Sequence, residues 1–266
     1  MPARMPVFYI SHGGGPWPWV APMRAGLANL ERSLTELVAS LPERPRAILM
    51  ISGHWETDNV RIMSAARPGM IYDYHGFPPH TYRIVYPAPG APDVAARAAR
   101  LLADAGIAAR LDPAQGFDHG TFAPMAVMYP AADMPLLQLS ILDSYDPAQH
   151  VRIGRALAPL RDDGVAIIGS GLSFHNLRLF GPAARQPSAA FDAWLAEALD
   201  QPATAREQSL LAWEQAPFAR ICHPREDHLV PLFVALGAAG TDPSVRIYHD
   251  TDLMGGVTAS SFAFAA

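Results

Sequence analysis

The sequence predicts a single layered α/β domain, and three observations predict it. Short continuous apolar runs alternate with amphipathic stretches along all 266 residues, the pattern of strands and helices packed in layers. Two of the runs, "AILMISG" and "GVAIIGSG", are apolar on both faces, as strands covered on both sides must be. Half of the residues are hydrophobic and 17% are charged, which suits a chain that buries a substantial core. No repeat, linker or low-complexity tract divides residues 1–266.

Taken in order, residues 6–10 read as a first strand. Residues 22–41 read as an amphipathic helix with Arg24, Glu31, Arg32 and Glu36 on its polar face. A second strand covers 47–53. A helix over 92–105 leads to a short strand near 108–111. Strands over 136–142 and 164–171 flank a helix over 147–160. Paired helices follow at 188–199 and 204–215. Pro224 suits the first turn of a helix over 225–237. The chain closes on two strand-like runs, "VRIYHD" and "SSFAFA". Two long loops remain: 65–91, rich in Pro, Gly and aromatics, and 112–124, which carries "FDHGTF". Long ordered loops in a compact domain tend to carry function.

Composition removes several function classes. A net charge of −5 argues against nucleic acid or an anionic membrane surface as partner. All 20 basic residues are arginine, so Schiff-base and Walker-type lysine mechanisms are excluded. Cys222 is the single cysteine, which leaves no intrachain disulfide and no cysteine-based zinc cage. The N-terminus lacks a basic start followed by an apolar segment, and no run approaches about twenty apolar residues. The expectation is a cytoplasmic protein with no membrane partner. Nothing in the sequence distinguishes a monomer from a homo-oligomer.

The ten histidines are the informative residues. His12 follows the first strand ("FYISHGGGP"), His54 the second ("ILMISGHWE") and His175 another ("AIIGSGLSFHNL"). Open α/β sheets bind ligands beyond the carboxyl ends of their strands, so three strands can bring these three imidazoles to one point. Neutral imidazole is the commonest metal-ligating side chain. In "CHPREDHLVPLF", His223 and His228 would lie roughly 140° apart on one helix. His228 is therefore the better ligand, with Glu226 and Asp227 as carboxylate alternatives. His119 sits in a loop beside Asp118 and reads either as a structural turn or as half of an acid–base element. His75 and His80 lie in the aromatic-rich loop as pocket candidates, and His150 and His249 read as surface histidines.

Two other chemistries fit less well. "HGGG" matches the oxyanion loop of α/β-hydrolases, and "GLSFH" approaches their nucleophile elbow. However, His175 stands where that strained turn needs glycine. Gly13–Gly15 suggest a phosphate cradle, but neither glycine-rich nucleotide motif is completed. A non-enzymatic binding module leaves the histidines gathered at one sheet edge without a reason.

The motifs "SHGGGP", "SGHWE", "DHGTF", "SGLSFHNL" and "HPREDHLVPLF", in this order, resemble those of the class III extradiol ring-cleavage dioxygenases. They are closest to the branch that resembles 4,5-DOPA dioxygenase extradiol, and the resemblance spans residues 12–235. It implies a central, mostly parallel (mixed) sheet flanked by helices, with a metal site at the C-terminal edge of the strands. It also implies a mononuclear Fe(II) that opens a small catechol-type aromatic ring with O2. By motif, His12, His54 and His228 resemble the metal ligands. His175 resembles the general base, with a fourth-ligand role as the alternative, and His119 resembles a second active-site histidine contacting substrate or dioxygen. The best-known members use two histidines and a carboxylate, so Glu226 or Asp227 competes with His228 at the third position. A three-histidine set suits Zn2+ as well, and a zinc hydrolase or an inactive metal-binding member is the alternative reading. Tyr74, His75 and Phe174 are the candidate substrate contacts, within a wider set of aromatics suited to a flat ring. A histidine serves both proton steps of such a reaction, because its unperturbed pKa of about 6.5 allows either state near neutrality.

Overall fold

In the computed structural model, which describes residues 3–265, the first apolar run becomes β1 (Val7–Ser11), buried throughout. The expected helix over 22–41 is two helices, α1 (Ala21–Gly26) and α2 (Ala28–Ala39). Gly26 is a weak helix former, and Leu27 leaves helical geometry there at φ −112° and ψ 21°. The second run extends further than expected, as β2 (Ala47–Thr57), and is followed by β3 (Val60–Met63), a strand too short to show a period in the sequence. Next come α3 (Pro92–Asp104), β4 (Ala109–Asp112) and α4 (His119–Met128). β5 (Leu136–Leu142), α5 (Pro147–Leu157) and β6 (Val165–Gly171) then follow, and α6 (Arg185–Asp200), α7 (Ala203–Leu211) and α8 (Ala219–Cys222) come after them. The chain ends with α9 (Val230–Ala239), β7 (Ser244–Leu253) and β8 (Val257–Phe264).

Two further expectations are corrected here. The segment 112–124 is not all loop, because α4 begins at His119 with Asp118 as its N-cap, the carboxylate accepting from the Thr121 amide. Pro124 inside that helix masks it in the sequence, since proline normally breaks one. The last helix does not start at 225. Residues before Val230 form turns, and the proline that opens the helix is Pro231 rather than Pro224.

All eight strands form one sheet in the order β4-β3-β5-β2-β6-β1-β8-β7. The central four, β5-β2-β6-β1, are parallel. β8 and β7 extend the sheet antiparallel at one side, while β3 pairs antiparallel with β5 and parallel with β4 at the other. Helices α3, α5, α6 and α9 cover one face, and α2 and α4 cover the other. This is a single α/β domain whose central strands are buried on both faces, as their continuous apolar sequences require. The strands that carry the histidines, β2, β6 and β1, are neighbours, so their carboxyl ends open at one place.

Candidate active site

His12 directly follows β1 and is buried. Its backbone is turned by Gly13 at φ +80°, where a Cβ would come within 2.5 Å of the Trp17 indole nitrogen. That nitrogen donates to the His12 carbonyl at 2.8 Å, which fixes the turn from below. His54 lies inside β2 rather than after it, where pairing with β5 shifts register between Ile51 and Glu56. Such a bulge re-aims side chains. His175 lies four residues beyond β6, its amide bonded to the Cys222 carbonyl.

The rings of His12, His54 and His228 meet through their Nε2 atoms, with His54 3.3 Å from His12 and 3.2 Å from His228. Two nitrogens each about 2.0–2.1 Å from one tetrahedral ion lie about 3.3–3.4 Å apart, so the spacing is that of a ligand shell. Burial pushes the His12 and His54 imidazoles well below the usual histidine range and His228 down to about 4. The neighbouring histidines add to this depression in all three. At neutral pH the three rings are therefore uncharged.

Their tautomers follow from the outer nitrogens. The Ser170 hydroxyl donates to the Gly120 carbonyl, so it accepts from His12 Nδ1–H at 3.0 Å. The Gly120 carbonyl is free to receive it because its helical partner would be the N–H of residue 124, and Pro124 has none. His54 Nδ1 faces Asp73 Oδ2 at 3.3 Å, and His228 Nδ1 faces Asp227 Oδ2 at 3.2 Å. Each Nε2 thus presents a lone pair to the others. Three lone pairs converging in a buried space need a cation, and the donor set fits a divalent transition metal.

His228 reaches this point from the turn before α9, which rests on the strand ends. A Cβ at Gly171 would lie 2.0 Å from the His228 carbonyl, and one at Gly53 would lie 2.7 Å from that of Asp227. The Leu172 amide and the Tyr9 hydroxyl both donate to the His228 carbonyl. Of the carboxylate alternatives, Glu226 pairs outward with Arg220. Asp227 contacts the outer nitrogens of His228 and His175, behind the point where the Nε2 atoms meet. Burial raises the Asp227 carboxyl, but those two histidines outweigh it and hold the group well below the carboxylate range.

Two carboxylates thus serve four rings. Asp73 accepts from His119 Nδ1 at 2.8 Å and from the His119 amide at 3.1 Å, while also facing His54. His119 brings a ring nitrogen within 4.8 Å of those of His12 and His54. On the opposite side, Asp227 Oδ1 lies 3.5 Å from His175 Nδ1, and the His175 ring stacks on His228 at 3.3 Å between centroids. Sequence reading missed Asp73 altogether; no motif marks it, although a carboxylate behind a ligand histidine is a common arrangement. Ser170, inside the apolar run "GVAIIGSG", was equally silent. Asp118 is no partner for His119 in acid–base work, because it is buried on Ser52 and Gln138 as the α4 cap. Its carboxyl is pushed up to about 6 by that burial and by Asp73, against the pull of these hydrogen bonds.

The five histidines line a chamber of about 380 Å³. Tyr74 lines it with its hydroxyl tied to the Thr81 carbonyl, and His75 stands exposed at its rim. Phe174 does not line it: the ring is fully buried and packs on Phe180, which faces the chamber in its place together with Phe77. His80 is exposed and bonded to the Trp19 carbonyl. His150, expected at the surface, is fully buried, with Nε2 accepting from the Leu142 amide and Nδ1 donating to the Asp146 carbonyl. His249 is exposed as expected.

A ring of neutral imidazoles at the carboxyl edge of a parallel sheet is the equipment of a metal-dependent enzyme. The model of the family described as the catalytic LigB subunit of aromatic ring-opening dioxygenase matches residues 5–265, and the chain belongs to this family. Enzymes of this family are metal-dependent. The chain is 39% identical over 265 residues to Dioxygenase tasH of Hapsidospora irregularis, covering 92% of this chain and 81% of that one. It is 38% identical over 263 residues to the 4,5-DOPA dioxygenase extradiol of Beta vulgaris, covering 97% and 96%. A solved structure of an uncharacterized protein from Escherichia coli K12 matches with a TM-score of 0.79 at 30% identity, covering 98% of this chain and 100% of that one. Family and relatives alike support a dioxygenase of the extradiol type. Among the described residues, no helix is long and apolar enough to cross a membrane.

Proposed function

We propose that the protein opens the aromatic ring of a catechol-type substrate with O2, using a mononuclear Fe(II) held by His12, His54 and His228. The observation that carries this reading is the His54 Nε2 atom lying 3.3 Å from that of His12 and 3.2 Å from that of His228, three neutral imidazoles on the floor of an apolar chamber. When bound, such an ion acidifies a catechol hydroxyl and supplies the one-electron chemistry that O2 requires. His175 accepts the second hydroxyl proton at Nε2, its Nδ1 side being taken by Asp227. His119, fixed through Nδ1 and its amide by Asp73, presents Nε2 from the other side and delivers a proton to the developing product. Tyr74 closes the wall beside His119, their ring centroids 5.9 Å apart, and keeps water from that side.

The deciding experiment is anaerobic loading with Fe(II), addition of a catechol panel and admission of O2. Oxygen uptake with a yellow ring-opened product is expected. No uptake on any catechol, together with esterase or amidase activity in the zinc-loaded form, would instead establish a zinc hydrolase.

A further inference from the structure

We infer that the ring substituent of the substrate is uncharged and apolar, so that the chamber discriminates against catechols whose short side chain ends in a carboxylate. The inference rests on the dioxygenase reading above and adds the substrate class to it. A carboxylate in a desolvated site is held best by a guanidinium or ammonium group, cations that keep their charge where an imidazole near neutrality does not. Every basic residue of this chain is an arginine, and among the described residues none lines the chamber. Two carboxylates, Asp73 and Asp227, do line it. Arg178 and Arg225 belong to an outer vestibule that shares His175, Leu177 and Asp227 with the chamber. Arg225 is already engaged by Glu56 and the Tyr145 hydroxyl.

The remaining wall is apolar: Met23, Phe77, Leu172, Leu177, Phe180 and Met254. Leu177 is 69% exposed and Met254 38% exposed, two large apolar side chains uncovered at the rim of one cavity. Met254 stands at φ +52° beside Gly255 at φ +82° on the β7–β8 turn, the left-handed pair that a tight hairpin turn requires. An apolar substituent running from the ring toward the rim would cover both side chains.

A matched pair tests this: 4-propylcatechol and 3-(3,4-dihydroxyphenyl)propanoate, which are similar in length and differ in terminal charge. Equilibrium binding to the zinc-loaded protein is measured beside ring opening by the iron-loaded protein. The propyl compound should bind about tenfold tighter or better, with kcat/KM higher by a similar factor carried mainly by KM. Each methylene from methyl to propyl should add roughly fourfold. Leu177→Ser and Met254→Ser should each shrink the preference, and Leu177→Arg should invert it. Equal or tighter binding of the propanoate overturns the inference, most directly if Arg178→Ala abolishes that binding; absence of binding by either compound overturns it as well. Selective binding of the propyl compound without ring opening leaves the inference standing and removes the dioxygenase reading. Equal ring opening of both compounds does the reverse.

Discussion

The buried histidines fall into two groups that burial alone does not separate. His12, His54 and His228 at the strand ends are buried or nearly so and depressed in pKa, and so are His150 on α5 and His223 after α8. The difference is where the nitrogens point. His150 spends both on backbone groups. His223 gives Nε2–H to the Ser173 carbonyl and packs edge-on against Phe191 and Trp213. In the site trio the outer nitrogens are tied back and the inner lone pairs face one another. A buried histidine that answers to the backbone holds the fold; one whose lone pair faces another lone pair awaits a cation.

The largest expected break in this contrast comes from replacing the two groups in parallel. His12→Ala, His54→Ala or His228→Ala should abolish stoichiometric metal, read by elemental analysis, and ring opening with it, while circular dichroism stays native. His150→Ala should keep the metal and lose about 2–4 kcal/mol in denaturant unfolding, from a cavity and two orphaned backbone groups. Full metal occupancy in His54→Ala would dissolve the distinction.

Next in size, His175→Gln should lower kcat by roughly 10²–10⁴ with metal content retained. Loss of metal in that variant would make His175 a ligand rather than the base.

Smaller effects sharpen the role of the outer nitrogens. Asp73→Asn, Asp227→Asn and Ser170→Ala should each weaken metal binding or activity by about 10–100-fold. Asp73→Asn is expected to be the most damaging to turnover, because it touches both His54 and His119.

The last effect is on stability rather than on the site, and it concerns pH. Burial lowers His150 to about 4, while in the unfolded chain it titrates near 6.5. Below about 6.5 the unfolded state therefore binds the extra proton. The contribution of His150 to stability is complete above that pH and is lost as pH falls toward 4, by up to about 3 kcal/mol. Unfolding of the metal-free protein between pH 7 and 4 should show a slope to which His12, His54, His223 and His228 also contribute, and His150→Gln should reduce it by the His150 share.

The alternation of apolar and amphipathic runs made the sheet legible, because strands buried on both faces leave continuous apolar sequence. Turns were less legible. Pro124 hid α4, and the turn holding His228 carries no periodic signal of its own. His150 was misread as a surface residue because its partners are backbone groups, which no sequence pattern displays. His12, His54 and His175 could be placed together from sequence since each sits at or just past a strand end. Asp73 could not, because a loop brings it to His54 and His119 through contacts that depend on the whole fold. Phe174 failed as a substrate contact because sequence identifies an aromatic near the site without saying which way its ring turns.

The position of β1 in the sheet has a bearing on how the protein comes to be made. Synthesised first, it lies between β6 and β8, with Val7 paired to Ile167 on one side and to Phe264 on the other. β6 and the turn before α9 must therefore emerge from the ribosome before His12 has the Ser170 hydroxyl and the His228 ring beside it. Pairings this distant in sequence are slow to form, and partly folded chains expose unpaired edges in the meantime. Metal acquisition thus waits for the turn that carries His228, and a nascent chain stalled before that turn should hold no stoichiometric ion.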